Sequence, residues 1–296
     1  MSAGIFWLAS YPKSGNTWTR AFIASLRHEE PEEVDINALH TGAIASDRGW
    51  IDEVLGFDSA DLDHDEIDLL RPAVYRWHAD EAEEHGYHKV HDAYTYLANG
   101  EPLFPAACTA GALCIIRNPL DVAISFAHHN HCTIDQSIAN MGNPDFAFSR
   151  ATKRMDNQLR QKLLSWSAHV ESWADADEID RLVVRYEDMR HDSLATFTRI
   201  CSFLQLPDDA ASVQAALDKC AFEKLQAQEQ EKGFCEKSPK HEAFFRKGKV
   251  GDWQETLSPE QIDRIINDHH AVMQRFGYLD ADGNPVPALP LEQIAA

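Results

Sequence analysis

The amino-acid sequence predicts an α/β fold, one domain over residues 1–296 with a central parallel sheet flanked by helices. Two observations carry this. Apolar, β-branched and aromatic runs alternate four times with helical periodicity, and three of the four strand ends carry basic or ionisable residues, where ligands collect in such sheets. Residues 4–9 (GIFWLA) form a short apolar run stopped by Ser10-Tyr11-Pro12, which reads as a buried strand feeding a loop. Trp18, Ala21, Phe22, Ser25 and Leu26 then recur at helical spacing, so residues 11–16 lie between a strand end and a helix N-terminus. The same alternation appears at 87–91, at 112–116 before a helix over 121–129, and at 182–186 before a helix over 193–204. Residues 149–174 read as one long amphipathic helix, and 226–250, polar and marked by Gly and Pro, as a long lid loop. Ser258-Pro259-Glu260 starts a helix running to about 276, and 279–296 reads as a surface tail.

Composition excludes several functions. Forty-eight acids against 27 Lys and Arg leave a net charge of −21, a surface that repels nucleic acid, anionic lipid and polyanionic glycans. Residues 29–68 hold fourteen Asp/Glu and a single base, Arg48, more than half of that imbalance. Such a run is ordinarily a solvated face; the sharper reading is an acidic rim favouring neutral or cationic substrates. The apolar run near the N-terminus lacks a basic flank and a cleavage site, and 106–116 is too short to span a bilayer, so no nucleic-acid or membrane partner is expected. Six cysteines without CxxC spacing fit reduced thiols in a cytoplasmic protein.

The chemistry concentrates in five segments. Tyr11-Pro12-Lys13-Ser14-Gly15-Asn16-Thr17-Trp18 sits where backbone N–H groups and a helix dipole favour an anion. Its Lys precedes the Gly, so it is not a Walker loop. Further on come Lys89-Val90-His91, the run from Arg117-Asn118-Pro119 to Ser125, Tyr186-Glu187-Asp188, and Phe245-Arg246-Lys247-Gly248-Lys249-Val250-Gly251-Asp252-Trp253. Together, over about residues 5–276, these resemble the cytosolic-type sulfotransferases dependent on 3′-phosphoadenosine 5′-phosphosulfate (PAPS). The YPKSGNTW loop is similar to that of bacterial members acting on glycopeptides.

The resemblance implies a P-loop-kinase-like topology and sulfuryl transfer from PAPS to a hydroxyl of a small molecule. It implies that Lys13 stabilises the leaving 5′-phosphate, that Ser125 restrains Lys13, that His91 is the general base and that Lys89 assists the sulfuryl oxygens. It likewise implies that Ser14, Gly15, Asn16 and Thr17 hold the 5′ end, and that Arg117, Ser125, Arg246, Lys247 and Gly248 hold the 3′-phosphate. Trp18 and Phe222 sandwich the adenine in this scheme, with Tyr186 donating to a ring nitrogen. Cationic stabilisation of a charge-spread sulfuryl group needs no metal. Two departures stand out: Cys220-Ala221 precede Phe222 where the family often has Thr-Ser, removing two hydroxyl donors, and residues 254–263 differ from the dimer-forming segment of some members, leaving the oligomeric state open. The clusters His128, His129, His131, Cys132 and His78, His85, His88 lack a recognised metal spacing; the first is expected beside the acceptor. A nucleotide-dependent kinase and a catalytically silent nucleotide binder are the rival readings.

Overall fold

The structure, a computed structural model, describes residues 3–27, 34–237, 243–288 and 290. In chain order it contains β1 (Ile5–Ser10), α1 (Asn16–Arg27), α2 (Arg48–Leu55), α3 (His64–Glu81), β2 (Gly86–Val90), β3 (Thr109–Ile116), α4 (Pro119–Asn130), α5 (Ile134–Met141) and β4 (Ala147–Phe148). There follow β5 (Gln161–Lys162), α6 (Trp166–Ala174), β6 (Arg181–Arg185), α7 (Tyr186–His191), α8 (Ser193–Phe203), α9 (Ala210–Lys219), α10 (Phe222–Lys232), α11 (Trp253–Thr256) and α12 (Pro259–Arg275). The fold is α/β: the four predicted strands form one parallel sheet in the order β2-β1-β3-β6, with helices between them in the chain. β1 and β2 pair in parallel with Leu8 opposite Lys89. Every residue of β1 is buried, as a strand covered on both faces requires.

Contacts divide the chain into two compact units. The first takes the described parts of Met1–Tyr11, Thr41–Cys114 and Pro144–Val183; the second those of Pro12–His40, Ile115–Asn143 and Val184–Ala296. In the first, Trp7 packs edge-on against Tyr75 at 5.0 Å and meets Phe104 at 4.9 Å, and Phe104 meets Trp173 at 5.2 Å. The acidic run has local work here. Asp47 caps α2, and Asp63 with Glu66 forms the capping box of α3, where negative charge also suits the helix dipole. Residues 29–33 of that run lie outside the described residues.

The predicted helix over 149–174 is corrected to α6 alone. Leu159 is buried because its extended backbone docks, its N–H donating to the Ser46 carbonyl at 2.7 Å, and Ser165 caps α6 through Ala168 N–H. The apolar spacing there came from extended burial, not from a helical face.

In the second unit α1 meets α8 through Phe22 and Phe197, 4.3 Å apart. Residues 226–232, expected in a loop, are the body of α10. Its buried side is polar, which hid the helical period: Gln228 bonds the backbone at Val34 and Ile36, Glu229 accepts from Phe244 and Phe245 N–H, and Gln226 donates to the Phe245 carbonyl. Residues 238–242 of the expected lid lie outside the described residues. The tail is also corrected at its start. Leu279 is buried, Val286 N–H donates to the Tyr278 carbonyl, and Asn118 Nδ2 donates to the carbonyls of Val286 and Pro287 at 2.9 and 3.0 Å. Residues 289 and 291–296 lie outside the described residues. Among the described residues no helix is long and apolar enough to cross a membrane.

Candidate active site

In the second unit the predicted phosphate loop turns into α1 through two residues at positive φ, Lys13 at 72° and Gly15 at 108°. Lys13 is not a glycine, so its backbone is strained there, and such strain collects at functional positions. Gly15 is needed for a second reason: an added Cβ would lie 2.8 Å from Tyr186 Cδ2. Gly15 also supplies the first carbonyl of the helix, accepting from Thr19 N–H at 3.1 Å. The first turn of α1 holds no acid, leaving its positive end uncompensated. Ser14 is fully buried, and its Oγ has no hydrogen-bond partner among the described residues. A buried hydroxyl without a partner is costly, and an anion cradled at this turn would satisfy it. Lys13 Nζ lies 3.7 Å from the centroid of the Phe244 ring, a cation–π contact. Asn16 and Thr17 are buried at the start of α1, and Trp18 is half-buried.

Arg117 ties this loop to the C-terminal motif. One end of its guanidinium donates to the Lys13 carbonyl at 3.0 Å, the other to the Lys249 carbonyl at 3.1 Å, and its face lies 4.5 Å from the Tyr186 ring. Its Nε has no partner among the described residues. Tyr186 OH donates to the Gly248 carbonyl at 3.2 Å, and burial pushes its phenol up, so it remains a neutral donor. At Gly248, φ 58°, an added Cβ would lie 2.7 Å from Phe222, so this glycine lets the aromatic ring close on the main chain. Arg117, Tyr186, Gly248, Phe222 and the Lys13 loop are therefore brought together. Ser125 is half-buried on α4.

Arg246 and Lys247 both pair with Asp252, at 2.9 and 2.7 Å. Burial pushes the Asp252 carboxyl up, but the two cations outweigh it and hold it below the usual range. Part of their charge is thus offset, and in return the two side chains are fixed. The fully buried Asp121, two residues into α4, accepts from Gly251 and Trp253 N–H at 2.8 and 3.1 Å, anchoring the whole C-terminal motif. Trp18 contacts Tyr186 edge-on at 6.2 Å, and Arg190 places its guanidinium 5.5 Å from the Trp18 ring and 6.0 Å from the Phe222 ring.

The first unit holds the other candidates. Lys89 is half-buried on β2, and His91 follows the strand end. His91 Nδ1 lies 2.8 Å from the Ser10 carbonyl. A carbonyl only accepts, so Nδ1 carries the proton and Nε2 holds the lone pair, the tautomer a general base needs. The next residue, Asp92, is fully buried in a two-pronged pair with Arg71, at 3.1 and 3.0 Å. Its carbonyl accepts from Trp173 Nε1 at 2.9 Å, and Ala93 N–H donates to the Lys162 carbonyl at 2.7 Å. The main chain just after His91 is consequently clamped on both sides.

Among the described residues no group of three or more His, Cys, Asp and Glu is placed to hold a metal ion. His88 is buried, stacked on Trp50 at 4.7 Å, with Nδ1 donating to the Ala43 carbonyl, so its Nε2 accepts from His78 Nε2 at 3.2 Å. Burial pushes His88 down to about 4, keeping this pair neutral at physiological pH. His85 bonds the Gly4 backbone. His128 and His131 are exposed, and His129 meets Phe244 edge-on at 6.5 Å.

Sequence reasoning missed Asp121, Asp252, Arg71, Asp92 and Arg190. Asp121 and Asp252 sit inside the quoted motifs and were legible as buried acids beside cations. Arg71 and Asp92 carried no local signal, being 21 residues apart.

Comparison with known proteins gives a consistent set of similarities. The family described as "Sulfotransferase domain" matches residues 103–277. Cytosolic sulfotransferase 17 of Arabidopsis thaliana is 26% identical over 274 residues, covering 88% of this chain and 71% of its own. Flavonol 3-sulfotransferase of Flaveria bidentis is 24% identical over 270 residues, covering 87% and 78%. The crystal structure of mouse sulfotransferase SULT7A1 complexed with PAP superposes with a TM-score of 0.59 at 18% identity, covering 92% of this chain and 85% of that one.

Proposed function

This chain belongs to the sulfotransferase domain family and is a sulfotransferase with PAPS as donor, and we propose that it sulfates a hydroxyl of a small neutral or cationic acceptor, in line, with His91 as general base and no metal. The observation that carries the donor side is the Arg117 fork. It binds the Lys13 loop to the Lys249 main chain, and among the described residues neither its Nε nor the buried hydroxyl of Ser14, the next residue of that loop, has a hydrogen-bond partner. These residues fit a donor with phosphates at both ends of a nucleoside. The donor supplies the sulfuryl group and a phosphate leaving group.

The chain's own residues then divide the work. Lys13, Ser14, Thr17 and the amides at Gly15 and Asn16 hold the 5′ end, Lys13 offsetting the charge that grows on the leaving oxygen. Arg117 and Ser125, with Arg246, Lys247 and the Gly248 main chain, hold the 3′-phosphate. Trp18 and Phe222 flank the base, and Tyr186 orients it. His91 Nε2 takes the acceptor proton while Ser10 holds the ring, and Lys89 adds positive charge to the sulfuryl oxygens. Ser125 restrains Lys13 before the acceptor arrives. Residues 1–296 are proposed to act as one catalytic domain in the cytoplasm. A small-molecule acceptor agrees with the names of the relatives, a flavonol for one and an amine for another, the rabbit (Oryctolagus cuniculus) amine sulfotransferase. Exclusion of polyanionic acceptors follows from the net charge of −21.

The donor side is tested by titration calorimetry. Adenosine 3′,5′-bisphosphate is expected to bind at least about tenfold more tightly than ADP, some 1.4 kcal/mol from the placement of one phosphate. Equal affinities would overturn the 3′-phosphate assignment.

A further inference from the structure

We propose that Arg190 recognises the purine base of the donor, supplying the hydrogen-bond donors that Cys220 and Ala221 cannot; the proposal rests on the donor reading above. Arg190 stands at the last turn of α7, and its exposed guanidinium lies within reach of two aromatic faces at once, 5.5 Å from Trp18 and 6.0 Å from Phe222. Those are the two rings assigned to flank the base, so the guanidinium marks the space they share. At these distances the guanidinium lies next to both rings, so its N–H donors are within reach of the edge of a base stacked against them.

Among the described residues no hydrogen bond or ion pair engages Arg190, so its five donors are available. The neighbouring positions offer none. Ala221 has no side-chain donor, and Cys220 is fully buried with its thiol turned to the Leu217 carbonyl at 3.7 Å. Burial also pushes that thiol up to about 12, so it remains a weak, neutral donor already spent inside the protein. Tyr186 OH is bonded to the Gly248 carbonyl. The guanidinium is therefore an exposed group at this slot with several donors to give to the acceptor nitrogens of a purine, beside the single indole N–H of Trp18, and its charge strengthens such bonds.

Calorimetry on the full chain separates this role from plain attraction to phosphate. The ligands are adenosine 3′,5′-bisphosphate and 1-deoxyribose 3,5-bisphosphate, which has the same phosphates and no base. Wild type should prefer the adenosine ligand. Arg190→Ala should weaken the adenosine ligand about tenfold, the size of a charge-assisted hydrogen bond, and leave the base-free ligand unchanged. Arg190→Lys, which keeps the charge and loses the fork, should also lose most of the preference. Because Arg190 is exposed, both variants should melt with wild type. An equal loss for both ligands would make Arg190 a phosphate counter-charge and overturn the proposal, as would no loss for either. Wild type binding neither ligand, or both equally, would overturn the donor reading and this inference with it.

Discussion

Replacing His91 by Ala is expected to lower sulfuryl transfer by about 10²- to 10⁴-fold, the usual worth of a positioned general base, while binding of adenosine 3′,5′-bisphosphate stays at the wild-type level. The reason lies in the ring's two nitrogens. Nδ1 donates to the Ser10 carbonyl at 2.8 Å, which fixes the tautomer and leaves Nε2 to accept a proton. The Ser10 carbonyl belongs to β1, whose residues are all buried, so the anchor for the ring is rigid. A half-buried side chain on the end of a strand is also replaceable without unfolding. Calorimetry of the variant therefore separates lost chemistry from lost structure. Turnover retained within a few-fold of wild type would move the base elsewhere.

The largest effect on stability is expected at Arg71. Arg71→Met should cost about 3–5 kcal/mol, the penalty for leaving a buried charge without its partner. Arg71 and Asp92 are both fully buried and bonded at two points, and Arg71 also donates to Tyr75 OH at 2.9 Å and to Asp68 at 3.3 Å. Burial pushes the Asp92 carboxyl up, with the guanidinium pulling against it, so removing Arg71 leaves an acid in the core that must protonate or drag in water. Asp92→Asn should cost less, because Asp68 still faces Arg71. Equilibrium urea unfolding measures both. A loss below about 1 kcal/mol for Arg71→Met would mean that this network is solvated in solution. Since Asp92 follows His91 directly, the double variant Arg71→Met with Asp92→Leu should regain stability without regaining full activity.

Much of this architecture was legible where a local signal agreed with its setting. The run over residues 4–9 became β1, the Arg117-Asn118-Pro119 turn became the start of α4, and Ser258-Pro259 capped α12. The failures share a cause: burial achieved by polar or extended backbone. Leu159 is buried in an extended segment, which mimicked a helical stripe. α10 buries Gln228 and Glu229 to hold neighbouring backbone, which erased the stripe a helix normally shows. α2 and α3 disappeared into the acidic run because their caps, Asp47 and Asp63, read as charge rather than as helix starts.

The candidate site followed the same division. Residue types inside the motifs named the loop, Arg117, Tyr186 and Phe222, and the structure brings these together within the second unit. Their partners were not legible, because they are main-chain carbonyls, at Lys13, Lys249 and Gly248, or acids whose role is to hold backbone, such as Asp121. The net charge of −21 also gains a second meaning beyond a repulsive surface. Several of its acids cap helices or neutralise buried bases, as Asp63 and Asp68 do.

The most direct test of sulfuryl transfer by this chain is a radiolabelled-sulfate assay, with labelled PAPS and a panel of phenols, steroids, sugars, amines, peptide natural products and a heparan-like glycan. The account predicts label on at least one small neutral or cationic hydroxyl acceptor, in the presence of a metal chelator, with none on the glycan at physiological salt. Label on the glycan alone, transfer abolished by the chelator, or no transfer to any acceptor by a protein that binds the donor would contradict it.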